Sequence, residues 1–312
     1  MRRYLFWVIA ASFLGLWGHF VWLRTGKPAM SDEVRARFGK RSIQLSAGKT
    51  AFDYAEGEGE TVVLVHGFSI PSVVWDNTYK ALVRHGIPVL RYDLYGRGFS
   101  DRPGVRYDAD LFVRQLKELT DEIVGGGKFV ICGLSMGGAI AVHFADRYPE
   151  RISRLVLIDP AGYPMTTPVT AKLVQLPGIG DYAGRLMARR AMQKGLAENF
   201  ARNVPATIEA SALVQTEYAG YADAIVSTLR HMNMGKMQDI YERVGKKKLP
   251  TLLIWGKKDR VIPFSNAELV RKVMPHAQFL PLENAGHIPT SDESEKTHRA
   301  ILRFLGTEPI EL

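Results

Sequence analysis

Gly133-Leu134-Ser135-Met136-Gly137, followed by Gly138, is the stretch best suited to chemistry. Residues 128–133 (KFVICG) before it predict a buried strand, and residues 136–149 (MGGAIAVHFADRYP) after it predict a helix. A serine between a strand end and a helix start is the setting of the G-x-S-x-G nucleophile elbow. The turn is too tight for side chains beside the serine, which accounts for the glycines. It strains the backbone and exposes the hydroxyl, and the helix N-terminus behind it favours developing negative charge.

A serine hydroxyl is a poor nucleophile at neutral pH. It needs a base within hydrogen-bond reach, and the base needs an orienting carboxylate. Of eight histidines, His287 fits best. It follows residues 277–283 (AQFLPLE), a predicted strand, and so stands on the same sheet edge as Ser135. His85, His143 and His298 fall on predicted helices, His276 reads as a surface residue, and His66 as a structural brace for a glycine turn. Asp259 follows the strand at 250–256 (PTLLIWG) and is the preferred acid; the rival is Asp159, at the end of residues 152–159 (ISRLVLID). Two backbone N–H groups are needed for an oxyanion. Met136, after the serine, supplies one, and Phe68, in the loop His66-Gly67-Phe68-Ser69, supplies the other.

Those strand ends imply a particular framework. Residues 41–45 (RSIQL) and 50–56 (TAFDYAE) predict an opening antiparallel pair. Residues 61–67, 87–93, 128–133 and 152–159 predict further strands, separated by helices at 72–86, 108–125 and 136–149. Strands alternating with helices of this length mean a parallel sheet covered on both faces. The rhythm stops at Pro160. Residues 161–249 carry helical patterns and six of the ten methionines, an adaptable apolar composition. It resumes with the strand at 250–256, a helix near 265–274, the strand at 277–283 and a closing helix near 291–305.

The 312 residues carry 41 Lys+Arg against 32 Asp+Glu, a net charge of +9, and are 46% hydrophobic, which excludes a disordered chain. Cys132 is the only cysteine, so a disulfide framework and cysteine-based metal sites are excluded. The excess charge lies in residues 1–30 and 161–249; the remainder is neutral. No nucleic-acid motif or basic–aromatic repeat accompanies it, so an anionic membrane surface is the more economical partner. Residues 4–23 are 20 residues without a formal charge, enough for a helix to cross the ~30 Å hydrocarbon core. No A-x-A cleavage site follows, so the expectation is a retained single-pass anchor rather than a signal peptide. The excess of Lys and Arg after it puts the downstream domain on the cytoplasmic side.

Taken together, VHGF (65–68), DLYGRGFSDRP (93–103), GLSMGG (133–138), WGKKDRVIP (255–263) and ENAGHIP (283–289) resemble the serine α/β-hydrolases over roughly residues 41–305. The resemblance implies the α/β-hydrolase fold: a mostly parallel eight-stranded sheet, helices on both faces, and a helical cap after the sixth strand. The expected organisation is an anchor and linker at 1–30, core at 31–160, cap at 161–249 and core again at 250–312. The order Ser135, Asp259, His287 matches the family's Ser…Asp…His order. In DLYGRGFSDRP, Arg97 and Ser100 are expected to brace a turn. Epoxide hydrolases and haloalkane dehalogenases carry Asp where Ser135 stands. Carbon–carbon bond hydrolases of aromatic breakdown tend to have Asn before the nucleophile and Trp after the histidine; here those are Leu134 and Ile288. With its apolar N-terminus and basic cap, the chain looks most like the monoacylglycerol-lipase and lysophospholipase-like branch. The expectation is a serine ester hydrolase acting on acyl lipids at a membrane surface, without metal or organic cofactor. Leu186, Met187, Met192, Leu213 and Val214 would receive an acyl chain, and Lys246, Lys247 and Lys248 would meet anionic headgroups. A perhydrolase, a carbon–carbon bond hydrolase and a non-catalytic small-molecule receptor of this fold remain the alternatives.

Overall fold

The computed structural model describes residues 2–165 and 174–308. Residues 166–173 of the expected cap, and the side chains of Arg2, Arg3 and Arg24 counted for membrane orientation, lie outside the described residues. Eight strands form one sheet: β1 (Arg41–Leu45), β2 (Gly48–Ala55), β3 (Val62–Val65), β4 (Val89–Tyr92), β5 (Phe129–Leu134), β6 (Ile152–Ile158), β7 (Thr251–Gly256) and β8 (Gln278–Leu282). Each coincides with a strand expected from the sequence. Their order is β1-β2-β4-β3-β5-β6-β7-β8; β1–β2 and β2–β4 are antiparallel and the remaining pairs parallel. From β3 the chain crosses to β4 on one side, and β5 then lies on the other. The crevice beyond the carboxyl ends of β3 and β5 is therefore a topological switch point, where open α/β sheets place their ligands.

Alternation along the strands divides the core. Val63, Val65 and Ile131 join one apolar cluster with Leu116, Ile140 and Phe144. Val62, Leu64, Val130 and Cys132 join another with Trp75, Leu82 and Ile301. Side chains two apart share a face of a strand, so both faces of this sheet are buried. Burial pushes the Cys132 thiol up and leaves it an inert core residue. Two expected helices are subdivided. The stretch from 72 opens as a 3₁₀ turn, Ser72–Trp75, before the helix Asp76–Arg84; the closing stretch is Pro289–Asp292 followed by Ser294–Leu305.

After β6 come the helices Ile179–Asn199, Ala206–Val214, Tyr221–His231 and Gln238–Lys246. Among the described residues their buried side chains join the clusters of the sheet. Met192, Leu196 and Ile208 extend one sheet cluster, and Ala224, Met232 and Met237 the other. Met187 and Leu186 are exposed, as are Leu176 and Ile179.

The helix Arg2–Thr25 contains the apolar run Tyr4–Leu23, long and apolar enough to cross a membrane, with mean hydropathy 1.6. It meets the helix Ile179–Asn199, where His19 Nδ1 lies 2.9 Å from the Tyr182 hydroxyl and the Arg185 guanidinium lies 4.4 Å from the Phe20 ring centre. The linker holds the same region: Lys27 Nζ donates to the Thr216 carbonyl (2.6 Å), and Ala219 N–H to the Pro28 carbonyl (2.9 Å).

Candidate active site

Ser135 follows β5 with φ 56° and ψ −119°, a left-handed conformation that costs a non-glycine residue ~1–3 kcal/mol. Tertiary bonds hold it there. Its N–H donates to the Ile158 carbonyl (2.9 Å), and its carbonyl accepts from Ala161 N–H (3.0 Å). Two glycines allow the close approach. A Cβ on Gly137 would strike the Val65 carbonyl, and one on Gly133 would strike the Gly137 backbone. Gly67 faces the serine, its Cβ position 3.7 Å from Oγ. The loop carrying Phe68 therefore abuts Ser135, and Met136 begins the helix behind it.

His66 is wholly buried. Its Nε2 accepts from Leu94 N–H (2.9 Å), which leaves the proton on Nδ1 for the Gly67 carbonyl (2.9 Å). Burial pushes its pKa down to about 4, so it is a neutral brace. Arg97 braces the same loop by donating to the Phe68 carbonyl (2.9 Å), and it also reaches Thr228 Oγ1 on the cap (2.8 Å). No carboxylate bonds it among the described residues, and burial lowers its pKa to about 10. Ser100 Oγ links the Asp93 carbonyl to Ala51 N–H. Gln215, also from the cap, accepts from Gly98 N–H (2.7 Å) and donates to the Ser69 carbonyl (2.8 Å).

Asp259 follows β7. Its Oδ1 accepts from Val261 N–H (2.7 Å) and Ile262 N–H (2.9 Å), and its Oδ2 lies 2.7 Å from His287 Nδ1. The His287 loop is fastened separately. His287 N–H donates to the Asn199 carbonyl (2.9 Å), while Asp292 Oδ2 accepts from Gly286 N–H (2.8 Å) and Ala201 N–H (3.0 Å). The site histidine is thus tied to the C-terminal end of a cap helix. Neither Asn199 nor Asp292 is singled out by the sequence, because their roles arise only when distant segments meet.

Asp159 also lies here, fully buried at the end of β6. An oxygen of Asp159, an oxygen of Asp259 and a ring nitrogen of His287 lie within 4.8 Å of one another. Asp159 is two residues from Ala161, whose N–H bonds the Ser135 carbonyl, so these contacts bring Ser135, His287 and both carboxyls to one sheet edge. Among the described residues no hydrogen bond joins Ser135 to His287. Such bonds are often loose without substrate and tighten when it binds. A separate cavity of about 670 Å³ lies between residues 101–107 and the cap, lined by Arg102, Tyr107, Arg185 and Asp223; Ser135 does not line it.

Residues 58–293 match the family described as Serine aminopeptidase, S33. The chain is 30% identical to 2-hydroxy-6-oxononadienedioate/2-hydroxy-6-oxononatrienedioate hydrolase 1 of Dechloromonas aromatica, over 89% of this chain and 96% of that one. It is 28% identical to Lipase 3 of a Moraxella species, over 88% and 86%. The crystal structure of a membrane phospholipase A, described as a bacterial virulence factor, superposes with TM-score 0.70 at 23% identity, covering 98% of each chain.

Proposed function

The chain belongs to the serine α/β-hydrolases, in the family described as Serine aminopeptidase, S33, and from that premise we propose that it cleaves carboxylic esters of acyl lipids at a membrane surface. Ser135 attacks the ester carbonyl while His287 Nε2 takes its proton. Asp259 accepts from Nδ1–H, which keeps Nε2 unprotonated before attack and stabilises the imidazolium that follows. The Phe68 and Met136 N–H groups hold the oxyanion, each worth ~3–4 kcal/mol of barrier. His287 then protonates the leaving alcohol, and a water deacylates the serine. The relative named as a lipase supports ester chemistry.

The observation that carries the lipid reading is the seating of the apolar helix on the cap at Tyr182 and Arg185. The same cap segment exposes Leu176, Ile179, Leu186 and Met187. A bilayer holding residues 4–23 would bring these side chains to the lipid surface, where long-chain esters dissolve. Leu213 and Val214, half-buried, would extend that apolar path, whereas Met192 is committed to the core. Lys246, Lys247 and Lys248 are all exposed, and Lys247 also donates to the Asp146 carbonyl. Lysines near anionic lipid contribute ~1 kcal/mol each, enough to bias orientation.

A chain-length series of monoacylglycerols and aryl esters against the detergent-solubilised full chain tests this. The expected result is kcat/KM rising with acyl length; a preference for soluble acetate esters overturns the lipid reading. Carbon–carbon bond cleavage is the second reading, favoured by the 30% identical relative named as a 2-hydroxy-6-oxononadienedioate/2-hydroxy-6-oxononatrienedioate hydrolase. Turnover of a 2-hydroxy-6-oxo dienoate faster than of any ester would select it.

A further inference from the structure

Asp159 poses a problem in electrostatics. It is fully buried, its Oδ1 accepts from Gly256 N–H (2.9 Å), and its Oδ2 has no hydrogen-bond partner among the described residues. Its near neighbours make the problem worse. Asp259 contributes a second carboxyl and Asp292 a third charge from the helix Pro289–Asp292; His287 is committed to Asp259. Lys257 and Lys258, close by in the chain, are exposed and bond Glu283 and Asn284 instead. Two carboxylates this close in a dry site cannot both ionise at ordinary pH. A proton on Asp159 removes the repulsion and converts an orphaned acceptor into a donor aimed at another acceptor. Asp259 is the member that should keep its charge, since it already accepts two backbone N–H groups and the imidazole.

We propose that Asp159 is a positioning residue for the proposed esterase reaction: a neutral carboxylic acid that donates a hydrogen bond to Asp259 and replaces it as the counter-ion of His287 when Asp259 is removed. Burial, and next the Asp259 charge, push Asp159 well above the usual carboxylate range, in accord with the geometry. The φ of 41° at Asp159 is a second left-handed non-glycine conformation at this sheet edge. It persists because Asp159 N–H is bonded to the Ile254 carbonyl (3.0 Å), so strand pairing aims the carboxyl inward. With Asp259 present, Asp159 keeps its proton throughout turnover. Without Asp259 the opposing charge is gone, and Asp159 yields its proton to solvent only as Ser135 attacks and the imidazolium forms, so that its carboxylate pairs with that cation.

The proposal rests on the esterase reading, so its test has one arm that needs no turnover. Infrared spectra of the full chain at pH 7, with 13C-labelled aspartate and a chelator present, should show the carbonyl stretch of a protonated aspartic acid. Asp159→Asn should abolish that band. A wild-type spectrum without it, or a band surviving in Asp159→Asn, overturns the proposal. The kinetic arm compares Asp159→Asn, whose amide is neutral and still donates, with Asp159→Ala, which cannot donate: Asp159→Ala should lose at least about tenfold more kcat/KM than Asp159→Asn, and equal losses overturn the positioning role. Asp259→Ala should lose about 10- to 100-fold in kcat with KM little changed, and adding Asp159→Asn should remove at least about tenfold more. Asp259→Ala and the double variant being equally inactive overturns the replacement role. A band present in a protein that hydrolyses no ester would instead sink the esterase reading and leave the protonated pair standing.

Discussion

Asp259 Oδ2 lies 2.7 Å from His287 Nδ1, with 0% and 2% of the two side chains exposed to solvent. Among the described contacts this is the only ion-pair geometry in which neither side chain is exposed beyond that small fraction. A carboxylate cannot donate, so the hydrogen bond places a ring proton on Nδ1. Replacing His287 by Gln should lower kcat about 10³- to 10⁴-fold, leave KM within about threefold, and preserve the thermal midpoint. Steady-state kinetics on an aryl ester with parallel thermal unfolding checks this.

The loop carrying Phe68 is braced by a cation that Thr228 helps to hold. Thr228→Val takes the Oγ1 acceptor from a buried Arg97 donor and should destabilise the fold by ~1–3 kcal/mol, while Thr228→Ser should restore it. Arg97→Lys loses the planar fork that serves Phe68, Tyr95 and Thr228 together, and should lower kcat more than it raises KM. Denaturation midpoints and kcat for the three variants separate packing from catalysis.

Acid should unfold the core through its buried histidines. Burial lowers His66 to about 4 and His298 to about 4, from the ordinary 6.5. Below pH 6.5 the unfolded chain takes up protons that the folded chain refuses until about pH 4. Stability therefore falls as pH drops through that window, by up to ~3 kcal/mol for His66 and by less for the partly exposed His298. His298→Gln should flatten the loss between pH 6.5 and 4, read as urea midpoints across that range.

Removing residues 1–25 deletes the apolar helix but keeps Lys27 and Pro28 on the cap. The shortened chain should hydrolyse a soluble aryl ester within about threefold of the full chain, since among the described residues no hydrogen bond joins the helix to Ser135 or His287. It should lose sedimentation with vesicles and turnover of bilayer-embedded esters. Undiminished vesicle binding would place the membrane contact elsewhere.

Much of this architecture is legible in the sequence. The strands stand out because Val, Ile and Leu crowd into runs ending at glycine or aspartate, and a strand buried on both faces tolerates little else. Ser135, Asp259 and His287 are legible for the related reason that each follows such a run. The 3₁₀ opening at Ser72–Trp75 is not, because helical spacing is nearly the same over a single turn. The support of the site is also hidden. Asp159 and Asp259 meet because β6 and β7 are neighbours, and Arg97 meets Thr228 because a cap helix is laid across the loop. No local pattern encodes such encounters. The sequence offers both carboxylates as competing candidates for one role, and the structure puts them side by side.

The most direct test of the account is mass spectrometry after treatment with a fluorophosphonate, alongside ester hydrolysis. The account predicts one adduct, on Ser135, forming as activity disappears, with neither labelling nor hydrolysis in Ser135→Ala. Full hydrolysis by pure Ser135→Ala, or an adduct on another residue that tracks the loss of activity, would contradict it.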